Sequence, residues 1–87
     1  MSTMLTAQEL INQLRSTRSM LSQLRDLPET AALQRIGSVE AIVENVKREL
    51  RELKRSGMPE RESVLAVEEL LVDVELMLRR RARRLRG

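Results

Sequence analysis

The chain has 87 residues, of which 41% are apolar and 33% charged, and a net charge of +3. That length fits one domain, only just long enough to hold a core without disulfides, metals or oligomerisation as support. With no Cys and no His, disulfides, the usual zinc imidazoles and nucleophile–imidazole catalysis are excluded, and with no aromatic residue so are base-stacking platforms for single-stranded nucleic acid.

The first element opens with a capping box, Thr6-Ala7-Gln8-Glu9, in which the Thr6 hydroxyl takes the Glu9 N–H and the Glu9 carboxylate reaches back. Ala7, Leu10, Leu14, Leu21 and Leu24 follow at helical spacing, with Thr17 in the gap, and predict a helix over about 6–26. Its other side carries Gln8, Asn12, Ser16, Ser19, Ser22 and Gln23, an uncharged polar strip beside Arg15, Arg18 and Arg25. Those three arginines are a candidate second contact surface for a partner or an anionic ligand. The plain alternative is an ordinary solvated face.

Pro28 suits the first turn of a second helix, expected over about 28–56. Ala32, Ile36, Val39, Val43, Val46, Leu50 and Leu53 form an unbroken heptad stripe. Gly37 sits inside it and admits a kink, although the stripe keeps its phase across it. Ser56-Gly57-Met58-Pro59 ends the helix, with Gly57 suited to the left-handed position and Pro59 to the next start.

The third helix is expected over about 59–85. Val64, Val67, Leu71, Val74 and Leu78 make its stripe, widened by Leu70 and Met77, while Leu65, Val72 and Leu76 lie on a different side. The second and third helices would each span roughly 40 Å at ~1.5 Å per residue and pair as an antiparallel hairpin. Charge agrees: Lys47, Arg48, Arg51, Lys54 and Arg55 would lie beside the acidic start of the third helix, and the arginine block beside Glu29, Glu40 and Glu44. The expected fold is therefore all-α: a long-helix hairpin plus a shorter N-terminal helix, assembling into an oligomeric bundle.

Two constellations carry the functional expectations. Leu65, Val72 and Leu76 are read as an oligomer or partner interface, because leaving apolar area wet forgoes ~25 cal/mol per Å² and the first helix is short and offers only a narrow stripe. The alternative is that the first helix of the same chain covers them. Residues 79–87 hold six arginines and no acid, a charge of +6, directly after residues 58–78, where one arginine against six acids gives −5. Arg79, Arg80, Arg81, Arg83, Arg84 and Arg86 are candidate contacts for nucleic acid or another anion, since guanidinium pairs bidentately with phosphate. Their alternative is a solvated helix end whose cations complement the helix dipole.

There is no Walker A sequence and no glycine-rich dinucleotide loop. Glu68, Glu69, Asp73 and Glu75 occupy different helix faces without a calcium loop, so no metal and no cofactor is expected. No run of residues approaches the ~18 apolar positions of a membrane span, and Met1–Leu5 has no basic leader region, so a cytoplasmic location is expected. The expected function is non-enzymatic: an adaptor, assembly factor, chaperone or inhibitor of a larger complex, of the compact kind found among phage and mobile-element proteins. The alternatives are a nucleic-acid-binding or packaging accessory and a binder of a small phosphorylated ligand.

Overall fold

A computed structural model describes residues 6–57 and 60–86. It contains three α-helices, α1 (Ala7–Ser22), α2 (Glu29–Ser56) and α3 (Arg61–Arg86), with a 3-10 turn over Leu24–Asp26 and no strand among the described residues. The fold is all-α.

Thr6 caps α1 as its sequence implies, its Oγ1 accepting the Glu9 N–H at 3.2 Å. The α-helix stops at Ser22, short of the expected end near 26. The residue before a proline is excluded from the helical region, and Leu27 is extended at φ −104°, ψ 146°. The chain tightens ahead of it: the Asp26 N–H donates to the Gln23 carbonyl and the Leu27 N–H to the Leu24 carbonyl, both at 3.1 Å. This turn keeps Leu24 in the core.

Pro28 is the residue before α2 and not, as expected, within its first turn. Its carbonyl accepts the Ala32 N–H at 2.9 Å. α2 is one continuous helix through Gly37. Gly57 ends it at φ 67°, the left-handed conformation that glycine adopts without a Cβ penalty. The expected start of the third helix at Pro59 lies outside the described residues.

The three stripes meet in one cluster. All of Ala7, Leu10, Leu14, Leu21 and Leu24, all seven stripe residues of α2, and Val67, Leu71, Val74 and Leu78 of α3 are buried in it. Val64, Leu70 and Met77 pack half-buried against it. Thr17, the polar residue in the α1 stripe, is also buried, and its hydroxyl donates to the Gln13 carbonyl at 2.7 Å. That bond satisfies it locally, so the hydroxyl needs no partner across the core.

Each helix packs on both others. Lys54–Glu68 at 2.9 Å, Lys47–Glu75 at 3.4 Å and Arg86–Glu40 at 3.1 Å run along the α2–α3 seam with opposite chain directions. The hairpin is thus antiparallel and the expected charge matching is present in these three pairs. α1 runs parallel to α3: Ile11 lies by Ala66 and Leu70, Arg18 pairs with Asp73, and Arg25 lies by Met77 and Arg84. The result is an up-down-up bundle. Its long dimension of 42 Å is about one 28-residue helix at ~1.5 Å per residue.

Candidate functional site

α3 touches α1 along one flank and α2 along the other, so its remaining side faces outward. At ~100° per residue, Leu65, Val72 and Leu76 fall on that side, roughly opposite Val67, Val74 and Leu78. They are 48%, 58% and 45% exposed, the large hydrophobics left most open to solvent among the described residues. α1 docks on its own chain, yet it covers the Leu70–Met77 flank and cannot reach this stripe. The apolar face that the sequence singled out is therefore unpartnered among the described residues for a geometric reason: a helix in a three-helix bundle buries only the side turned to the other two.

The charged residues of α3 sort by the same geometry. Four of those on its flanks are tied within the chain: Glu68 to Lys54, Glu75 to Lys47, Asp73 to Arg18 at 3.2 Å, and Arg86 to Glu40. Those beside the outer stripe, Glu62, Glu69, Arg79 and Arg83, make no ion pair among the described residues.

α3 remains helical through the arginine block to Arg86, so the block is divided between two sides. Arg79, Arg83 and Arg86 border a groove of about 470 Å³ along α2, which Glu40, Glu44 and Glu75 also line. Arg80, Arg81 and Arg84 turn to the α1 side. There they surround Met77 together with Arg25, in a smaller cleft of about 200 Å³ that no carboxylate lines. None of these four arginines makes an ion pair among the described residues. Arg81 is half-buried and the other three are exposed.

The three arginines of the first helix do not form one surface. Arg18 is held by Asp73, Arg15 borders a groove with Glu69 and Asp73, and only Arg25 joins the tail cluster. The polar strip of α1 is exposed throughout and partly bonds to itself, Gln8 Nε2 donating to Asn12 Oδ1 at 3.0 Å and Ser22 Oγ to the Arg18 carbonyl at 3.1 Å.

The meeting of Arg25 with Arg80, Arg81 and Arg84 escaped the sequence reading, because it depends on the parallel placement of α1 against α3. Which of the α3 charges are already paired was not visible in the sequence either. Among the described residues, no group of three or more carboxylates is placed to hold a metal ion, and no helix is long and apolar enough to cross a membrane. The chain matches no protein-family model, and no curated protein or solved structure is significantly similar to it.

Proposed function

We propose that this protein acts by macromolecular contact and not by catalysis, as a cytoplasmic, self-associating helical adaptor, assembly factor, chaperone or inhibitor whose docking surface is the outer face of α3. The observation that carries this reading is the exposure of Leu65, Val72 and Leu76 on a helix whose opposite side is fully packed. Three large aliphatic side chains in one line favour a protein surface over solvent, at ~25 cal/mol for each Å² covered. Truncating them to polar residues leaves the core untouched, so the contact can be tested without unfolding the chain.

The test compares wild type with the double variant Val72→Asp/Leu76→Asp after nuclease treatment at about 0.5 M salt, where long-range charge attraction is screened. Light scattering and pull-down from native lysate then read any complex, with itself or with another protein. A stable complex present for wild type and lost in the variant is expected. Wild type that is monomeric and partnerless, or a complex indifferent to the two substitutions, sinks the reading.

A second reading is favoured by the cleft of Arg25, Arg80, Arg81 and Arg84, which has four guanidiniums and no lining acid. Such a cluster suits phosphate groups, on nucleic acid or on a small phosphorylated ligand. Duplex DNA titrated at low and moderate salt, set beside thermal shifts with nucleotides, separates the two sources of phosphate. Absence of both duplex binding and a thermal shift at low salt removes this reading.

A further inference from the structure

The geometry points to a second copy of this chain as the occupant of the α3 outer face, bound antiparallel in one register: Val72 of each copy against Leu76 of the other, and Glu69 of each against Arg79 of the other. This inference rests on the outer face being a contact surface and adds what covers it and how.

The outer positions of α3 run Leu65, Glu69, Val72, Leu76, Arg79, Arg83, with alternating steps of four and three residues. That is the seam of a two-helix coil, and it lies opposite the stripe already used by the bundle core. The seam is polar in a directed way. Its acids, Glu69 and one heptad earlier Glu62, precede the apolar centre, and its two arginines follow it.

A parallel pair would set Glu69 on Glu69 and Arg79 on Arg79, with like charges in contact. An antiparallel pair reverses this. When Val72 meets Leu76 of the other copy, the next layer outward pairs Glu69 with Arg79, and the layer beyond sets Leu65 against Arg83, whose aliphatic stem can cover a leucine while the guanidinium stays wet. Two-fold symmetry repeats each layer.

Sliding by one heptad fails in either direction. One slide pairs Leu65 with Leu76 and Glu62 with Arg79 but buries Glu69 against Val72 in its central layers, and the other sets Leu76 against Arg79. Only the first register matches apolar to apolar at the centre and charge to opposite charge beside it.

Among the described residues these charges are not engaged. Glu69 and Arg79 make no ion pair among the described residues, although Arg15 borders the groove beside Glu69 and Glu44 and Glu75 border that beside Arg79. They are ten residues apart on one helix, about 15 Å, and so cannot pair with each other inside one copy. Both are exposed, so exchanging them disturbs no core packing.

Sedimentation equilibrium of the full chain at about 100 μM, a concentration suited to an interface at the small end of the usual size range, provides the test. Wild type is expected at twice the 10.0 kDa chain mass. Arg79→Glu and Glu69→Arg, each alone, should raise the dissociation constant about tenfold or more, because symmetry places each like-charge contact twice. Two rescues are specific to the register. The double variant E69R/R79E should return to within about threefold of wild type, and an equimolar mixture of the two single variants should form a heterodimer that neither forms with itself. Circular dichroism confirms that each variant remains helical. A monomeric wild type overturns the inference, and so does a dimer indifferent to the charge exchanges or a mixture that fails to rescue. A monomer that still loses a nuclease-resistant protein partner on Val72→Asp/Leu76→Asp would overturn the second copy alone and leave the contact surface standing.

Discussion

Arg18 and Asp73, 55 residues apart in the chain, meet at 3.2 Å from Nη1 to Oδ2 and tie α1 to the flank of α3. The pair turns one arginine of the expected contact surface into a structural residue. Its side chains are 45% and 52% exposed, so its contribution is expected in the range of exposed pairs, about 0.2–1 kcal/mol. A double-mutant cycle of Arg18→Ala and Asp73→Ala in urea should return a coupling energy of that size, and less of it in high salt. No coupling would mean that α1 docks through its apolar stripe alone.

The two described glycines should respond oppositely to alanine. A Cβ on Gly37 meets nothing within 4 Å, and the position is an exposed helix interior. Gly37→Ala is expected to stabilise by about 1 kcal/mol, raising Tm by roughly 4–8 °C for a domain of this size. Gly57 also has open space, but its φ of 67° is costly for any L side chain. Gly57→Ala should destabilise by about 1–2 kcal/mol. Thermal melts of both variants check the pair of signs.

Gln13 carries the buried side-chain oxygen Oε1, which has no hydrogen-bond partner among the described residues. Desolvating such a group without compensation costs about 1–3 kcal/mol. Gln13→Met keeps the length of the side chain and removes the orphan oxygen, and it should stabilise the fold by about 1 kcal/mol in denaturant titration. The Thr17 bond to the Gln13 carbonyl involves only the backbone of residue 13 and should survive.

If nucleic acid binds, the two sides of the arginine block should contribute unequally. Arg80 and Arg84 lie in the cleft without acids, whereas Arg86 is engaged by Glu40. Arg80→Gln/Arg84→Gln should flatten the log–log salt dependence of duplex binding by up to about 0.9 per lost phosphate contact. Arg86→Gln should change it less. Fluorescence anisotropy across a salt series reads both slopes.

The core was legible from the sequence because helical stripes are local. Every stripe residue from Ala32 to Leu53 is buried, and the one polar intruder, Thr17, is handled by its own turn. The ends were less legible. Pro28 favours an extended Leu27, and the 3-10 turn over Leu24–Asp26 ends α1 at Ser22 ahead of it. The site was half visible. Leu65, Val72 and Leu76 stand out by spacing alone, but the division of the arginine block depends on where α1 lies, and nothing local fixes whether Arg25 faces Arg84 or solvent.

The separation of charge along α3 has an electrical consequence. The helix passes from a stretch of charge −5 to one of +6 within a bundle only 42 Å long, so α3 contributes a moment along the bundle axis that the cations at the end of α2 oppose only in part. Two such bodies drifting together in dilute buffer feel a torque before their surfaces touch, and it turns them head against tail. In an antiparallel pair the moments cancel, and the acidic start of each α3 lies level with the basic end of the other.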